Sequence, residues 1–154
     1  MIRPFAMQDK AQVIALFRRN TPAAFDPAEE LDFEHYLNHE REDYFVFETE
    51  GHIVGAGGIN YFLEENTARI AWDMIDPDSH GQGIGKKLTE YRLERIHQHP
   101  GITQIVVRTS QLACAFYEKM GFNWKALRRI IGPKITTFTS ENDHYQTIAI
   151  THGF

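Results

Sequence analysis

Asp76-Pro77-Asp78-Ser79-His80-Gly81-Gln82-Gly83-Ile84-Gly85-Lys86-Lys87-Leu88 is the stretch that decides the fold of this 154-residue chain. The apolar run Ile70 to Ile75 precedes it, and apolar residues at helical spacing follow it, so Gly81, Gly83 and Gly85 sit at a strand-to-helix junction. Such a junction suits an anion. Glycine lets the backbone turn sharply without a Cβ penalty, and the first amides of the new helix add the positive end of its dipole. The spacing also excludes two common phosphate loops. A nucleotide P-loop needs a Gly at position 80 and Ser or Thr at 87, where His80 and Lys87 stand; a dinucleotide fingerprint needs a third Gly where Lys86 stands.

What the stretch resembles is the (Arg/Gln)-x-x-Gly-x-Gly pyrophosphate loop of the GNAT superfamily of N-acetyltransferases, matched by His80-Gly81-Gln82-Gly83-Ile84-Gly85 with His80 at the Arg/Gln position. A second segment, Gln111-Leu112-Ala113-Cys114-Ala115-Phe116-Tyr117-Glu118-Lys119-Met120-Gly121-Phe122, is similar to the family's Asn-x-x-Ala-x-x-x-Tyr-x-x-x-Gly-Phe in all but its first positions. Taken alone, the second segment is weak. Two in family order, one on each side of a strand, are much stronger, and with Ile2-Arg3-Pro4 and the Tyr145 strand the resemblance covers essentially the whole chain.

The resemblance implies a single α/β domain over residues 1–154, with a mixed, largely antiparallel central sheet flanked by helices. It implies acetyl-CoA as cosubstrate, with Ile75 hydrogen-bonding the pantetheine arm, His80, Gly81, Gln82, Gly83, Ile84, Gly85 and Lys86 around the pyrophosphate, and Gln111 at a cofactor contact usually made by Asn. Tyr117 takes the place of the usual proton donor to the departing thiolate. A phenol near pKa 10 donating to a thiol near 8.5 runs uphill by about 2 kcal/mol, so a hydrogen bond to the developing thiolate describes it better than full proton transfer. The implied reaction is direct attack of a primary amine, on a small molecule or a peptide, on the thioester. A backbone amide near Met74 to Asp76 is the implied oxyanion donor, and a homodimer is the implied assembly.

Composition is compatible with this. The chain is 42% hydrophobic and 24% charged, ordinary for a globular domain. Its net charge of −5 argues against nucleic acid or an anionic membrane surface as partner. Cys114 is the lone cysteine, and neither a signal-peptide pattern nor a membrane-length apolar run is present, so a cytoplasmic protein is expected.

Along the chain, Ile2 to Phe5 reads as a strand. A helix from Gln8 follows, with Val13, Ile14, Leu16 and Phe17 on one face, then a proline-broken loop and a second helix near Ala28 to His39 carrying Leu31, Phe33, Tyr36 and Leu37. Tyr44 to Phe47 and His52 to Ile59 form a hairpin in which Gly57-Gly58 marks a bulge or a close backbone approach. Ala68 to Ile75 is a strand, Gly83 to His97 a helix with Ile84, Leu88, Tyr91 and Ile96 inward, and Ile102 to Arg108 a strand. Leu112 to Met120 is a short helix capped at Gly121; Phe122 to Ile131 and His144 to Thr151 are closing strands.

A general base has to free the attacking amine of its proton, and Asp73, a charge in an otherwise apolar strand, is the candidate. The bland alternative is an Asp near a strand end, solvated or paired with Arg69; Glu64 and Glu65 are weaker candidates for the base. His35 and His39 stand four apart with no third metal ligand in view, so no metal is expected. Phe25, Phe33, Tyr36, Tyr61, Phe62 and Phe138 suggest a partly apolar acceptor cleft, and Asp26, Glu29, Glu30, Glu64 and Glu65 favour a cationic amine. The departures at His80 and Gln111 keep a second reading open, a non-catalytic acyl-CoA-binding regulatory module.

Overall fold

The computed structural model describes residues 1–122 and 145–151, with residues 108–114 and 145–151 by backbone alone. The expected strand beyond Phe122 and the loop from Ile131 to Asp143, with Phe138, lie outside the described residues. The described chain forms two compact units, one of Met1–Asn60 with Ile70–Gln98, the other of Tyr61–Arg69 with the chain from His99 onward.

In the first unit the strand order is β1 (Ile2–Pro4), β2 (Asp43–Thr49), β3 (His52–Phe62), β4 (Thr67–Ile75). Both β1–β2 and β2–β3 are antiparallel, with Ile2 opposite Phe47 and Phe45 opposite Gly57. Glu50 and Gly51, at φ 52° and 79°, make the left-handed two-residue turn that a right-twisted hairpin prefers.

Helix α1 (Lys10–Arg19) buries Val13, Ile14, Leu16 and Phe17, as their spacing predicts. Asp9 does more at its start than face a dipole. Its carboxylate accepts from the Ala6 amide (2.8 Å) and from both terminal nitrogens of Arg3 (2.7 and 2.9 Å), tying the helix entry to β1. Asp26 and Glu29 form a reciprocal capping box ahead of α2 (Glu30–His35), which runs into one π-helical turn over Tyr36–Glu40. Phe33, Tyr36 and Leu37 point inward, but Leu31 is 77% exposed. The inward stripe is set by the i, i+3, i+4 spacing of those three residues, and Leu31 lies about 200° round the helix from Phe33.

The sheet's two faces are dressed differently. Ala56, Val46 and Met74 pack with α1 and α2 residues in one cluster, against which Phe25 and Trp72 lean half-buried. Gly55 and Gly57 face α3 (Ile84–His97). Gly57-Gly58 is a close approach, since a Cβ on Gly58 would stand 2.4 Å from the Tyr36 hydroxyl. Tyr91, expected inward on α3, is half-buried edge-on to Phe45.

In the second unit the start of β4 is followed by β5 (Gln104–Ser110) and β6 (Tyr145–Thr151), and β5 and β6 are antiparallel over their full length. The strand starts two residues later than expected because the Ile102 amide closes a turn onto His99 (3.2 Å) and the Thr103 amide bonds the Asn66 carbonyl (2.9 Å). Helix α4 (Gln111–Lys119) ends at Gly121, whose φ of 98° is the left-handed cap foreseen for it. The fold is α/β, with a largely antiparallel sheet and flanking helices.

Candidate active site

The loop from β4 to α3 is built in three steps. Asp76 anchors it: its amide donates to the Val54 carbonyl (2.8 Å), and its carboxylate accepts from the Asp78 amide (2.9 Å), closing the turn Pro77–Ser79. Arg19, at the end of α1, pairs with Asp76 (3.1 Å) and Asp78 (2.7 Å), so the two acids nearest the loop carry a compensating cation. Gly81 and Gly83 then turn the chain at φ 79° and 74°, and Gly83 caps α3. Gly85 was expected to share this role, but it lies in the first turn of α3 with helical backbone.

The loop fits a pyrophosphate. The first helical bond of α3 runs from the Lys87 amide to the Gly83 carbonyl (3.0 Å), so the amides of Ile84, Gly85 and Lys86 point out of the helix end. A Cβ built on Gly81 or Gly83 would meet nothing within 4 Å, leaving that side of the turn open. His80, Gln82, Lys86 and Lys87 are exposed around it, and Lys86 Nζ stands 3.8 Å from Glu90. Close packing beneath fixes the helix start: a Cβ on Gly55 would lie 3.1 Å from both Ile75 and Ile84, so the bare strand lets both side chains seat over it.

Asp73 faces α3 beside Ile75, while Trp72 and Met74 face the other side, as the strand's alternation predicts. The partner of Asp73 is one the sequence reading did not name. Arg92 of α3, 1% exposed, donates through Nη2 to one carboxylate oxygen (2.9 Å) and through Nη1 to the other. Arg69, one possible partner under the bland reading, places its guanidinium over the Phe62 ring (4.6 Å). Burial pushes the Asp73 carboxyl above the usual range, with the charge and hydrogen bonds of Arg92 pulling the other way. A signal for Arg92 existed: it stands four residues after Leu88 and four before Ile96, on the inward face of its helix.

Trp72 carries a second feature that the residue pattern did not announce, a φ of 52° in mid-strand. A bulky residue there is strained, and such strain persists only where the surroundings enforce it. The Tyr44 hydroxyl donates to the Trp72 carbonyl (3.1 Å), and the Trp72 ring packs on Phe33 (4.9 Å) and Phe25 (5.8 Å). Burial raises the phenols of Tyr36 and Tyr44 well above the usual range, so both are neutral; the Tyr36 hydroxyl has no hydrogen-bond partner among the described residues.

Tyr117 belongs to the second unit. It is 3% exposed, its ring edge-on to Phe116 (5.0 Å) and Phe122 (5.6 Å), and its carbonyl accepts the Met120 and Phe122 amides that close the helix end. Gln111 and Cys114 stand in α4 with side chains outside the described residues. Glu64 and Glu65 are exposed in the short helical turn before Asn66. His35 and His39 are exposed neighbours on α2 and the turn after it, ring centroids 4.9 Å apart. Among the described residues no helix is long and apolar enough to cross a membrane.

This geometry agrees with what the chain is similar to. An acetyltransferase of the GNAT family from Staphylococcus aureus Mu50 superposes with a TM-score of 0.72 over 98% of each chain, at 20% identity. A GNAT family acetyltransferase from Brucella melitensis, in complex with acetyl-CoA, gives 0.71 over all of this chain and 88% of the other, at 15% identity. The peptidyl-lysine N-acetyltransferase YjaB of Salmonella typhimurium is 50% identical over 49 residues, which is 32% of each chain, so the match spans about a third of that relative. The family model of the acetyltransferase (GNAT) family matches residues 10–122, from the start of α1 to the end of the Tyr117 segment, and the chain belongs to that family.

Proposed function

We propose that the protein transfers the acetyl group of acetyl-CoA to a primary amine by direct attack on the thioester, and that a peptide lysine is the first acceptor to try. The carrying observation is the β4–α3 loop: two left-handed glycines, an open side, and three outward amides at the start of α3. Bound acetyl-CoA supplies the activated acyl group. Gly81 to Lys86 hold its pyrophosphate by backbone amides, with His80 and Gln82 beside them, and Ile75 hydrogen-bonds the pantetheine arm through its backbone. The Asp76 amide already serves Val54, so the oxyanion contact is assigned to a backbone amide of Met74 or Ile75. The new C–N bond forms as the C–S bond breaks, the proton the attacking nitrogen then sheds goes to the departing thiolate, and Tyr117 donates a hydrogen bond to that sulfur. Gln111 opens the helix that carries Tyr117 and is assigned the remaining cofactor contact.

The amine has to lose a proton before it attacks. At pH 7 only about 0.04% of a lysine amine of pKa near 10.4 is unprotonated. Both carboxylate oxygens of Asp73 are held by Arg92, which favours a positioning part for Asp73 over the proton-accepting one expected from the sequence; the proton goes to solvent. The relative named for peptidyl-lysine supports a lysine side chain as acceptor. Cytoplasmic location rests on the lone cysteine, and a homodimer on family resemblance; sedimentation velocity tests the latter.

The experiment follows thiol release from acetyl-CoA over a panel of lysine peptides, peptide N-termini and small amines, comparing wild type with Tyr117→Phe. Turnover with at least one amine, reduced tenfold or more by Tyr117→Phe at unchanged melting temperature, is expected. Tight acetyl-CoA binding without turnover on any amine refutes the transferase in favour of a binding module. Equal rates in the two proteins remove Tyr117 from the mechanism.

A further inference from the structure

The largest fully buried side chain among the described residues is a charged one, Arg92. Burying a guanidinium is costly unless every donor is met, and here all are: Nε bonds the Leu88 carbonyl (3.1 Å), Nη1 the Gly58 carbonyl (3.3 Å) and Asp73, and Nη2 Asp73 (2.9 Å) and the Thr89 hydroxyl (3.5 Å). A planar fork that meets a carboxylate on both oxygens is work for Arg and not for Lys. Room for it comes from a missing side chain. A Cβ on Gly57 would stand 2.5 Å from Asp73 Oδ1 and 2.6 Å from Arg92 Nη1. The pair therefore lies directly on the bare backbone of β3.

What the pair grips is the strained part of β4. Asp73 follows Trp72, whose left-handed backbone an ordinary strand would not keep. The Trp72 carbonyl is held by the Tyr44 hydroxyl, and Tyr44 packs in the cluster with α1 and α2, while the Asp73 side chain is held by Arg92 on the α3 face. The peptide between them is fastened from both faces of the sheet. Directly after it come Met74 and Ile75, the backbone to which acyl-oxygen and pantetheine contacts are assigned above. Irregular strand geometry of this kind re-aims groups beside active sites.

We propose that Gly57, Asp73 and Arg92 form a positioning device for acyl transfer, in which the ion pair seated on Gly57 locks the stretch of β4 that follows the left-handed Trp72. The inference rests on the acetyl-transfer reading for its consequence in rate, but its structural half is measurable without turnover. Arg92 and Asp73 are positioning residues: neither contacts the reacting atoms.

The test uses three variants of the full chain. Gly57→Ala pushes on the pair while touching neither member. Arg92→Lys keeps the charge and loses the fork. Asp73→Leu with Arg92→Met removes both charges at similar volume, and apolar replacement of a buried pair commonly preserves stability. The readout free of activity is the fluorescence of Trp72 with Trp124, the other tryptophan, replaced by Phe. All three variants are expected to shift its emission and raise acrylamide quenching about twofold while the double variant melts near wild type. With turnover established, kcat falls tenfold to about a hundredfold, the range a small misplacement produces, while KM for acetyl-CoA changes less than threefold. Unchanged Trp72 fluorescence in Gly57→Ala and the double variant overturns the proposal, as does full kcat in the double variant, which would make the pair a stability element only. Asp73→Asn separates the remaining rival. It is expected to lower kcat and keep the shape of its pH profile; loss of the acid limb would make Asp73 the proton acceptor instead. Absence of wild-type turnover would defeat the transferase reading alone and leave the fluorescence result to decide this one.

Discussion

Two glycines of this chain are matched in backbone and differ in surroundings, and they give the phosphate loop a controlled test. Gly83 has φ 74° and Gly51 φ 79°, and a Cβ on either would meet nothing within 4 Å. Replacing either by Ala therefore introduces the same conformational strain and no clash. A left-handed backbone costs an L-residue about 1–2 kcal/mol, offset by about 0.5 kcal/mol from the less free unfolded chain. For a domain of this size each kcal/mol is worth about 2–4 °C in melting temperature, so each variant should melt about 1–6 °C below wild type. Gly51 turns the β2–β3 hairpin; Gly83 caps the helix whose amides face the expected pyrophosphate. In Gly83→Ala the new methyl projects into the open side of the turn, and relaxing the strain swings the Ile84 and Gly85 amides away. Two charge-assisted hydrogen bonds at about 1.5–3 kcal/mol each amount to about 3–6 kcal/mol, or roughly a hundredfold to ten-thousandfold in affinity.

Calorimetric titration of acetyl-CoA and of CoA into wild type, Gly51→Ala and Gly83→Ala, beside melting curves, reads both quantities. Similar melting losses with affinity lost only in Gly83→Ala is the expected pattern. Wild-type affinity in Gly83→Ala would refute the assignment of this loop to phosphate, whatever the activity of the protein. Equal affinity losses in both variants would show that binding follows global stability and not the cradle.

Asp9 makes a prediction in pH. The Arg3 guanidinium, joined by the Ala6 amide, holds its carboxyl below the usual range against the opposing effect of burial. A depressed folded value contributes stability that is full above the unfolded pKa of about 3.9 and is lost as pH falls through the folded one. Asp9→Asn should therefore cost about 2–3 kcal/mol by urea unfolding at pH 7, and the gap should narrow below about pH 4; a gap that is constant from pH 7 to pH 3 would contradict the ion-pair account. Gly58→Ala would place a Cβ 2.4 Å from the Tyr36 hydroxyl and 2.7 Å from Tyr44 Cδ2. Overpacking of that kind costs about 1–3 kcal/mol, measurable by denaturant titration, and Tyr36→Phe in the same chain should recover part of it.

The legible and illegible parts of this chain differ in the range of the interactions that cause them. Val13, Ile14, Leu16 and Phe17, the β4–α3 junction and the Gly121 cap follow from residues within a turn or two of each other, so the sequence alone places them. Leu31 shares its helix with Phe33, Tyr36 and Leu37 yet is exposed, because membership in an apolar helix does not say which residues set its inward stripe. The kink at Trp72 has no local cause: nothing in Ala71-Trp72-Asp73 asks for a left-handed backbone, and its supports, Tyr44 and Arg92, lie 28 residues before it and 19 residues beyond Asp73. Arg69 was one possible partner for Asp73 in sequence, yet this charge is met across the sheet's face, by what the packed helix presents there. Arg92 can present itself because Gly57 presents nothing. A glycine pair in a strand is thus read more fully with the opposing helix in hand: where an inward helical position carries a long cation and the strand beneath it carries no side chain, a carboxylate on the neighbouring strand is the partner to look for. On that reading Gly57, Asp73 and Arg92 are one unit drawn from three elements, and replacing any one of them should disturb the other two.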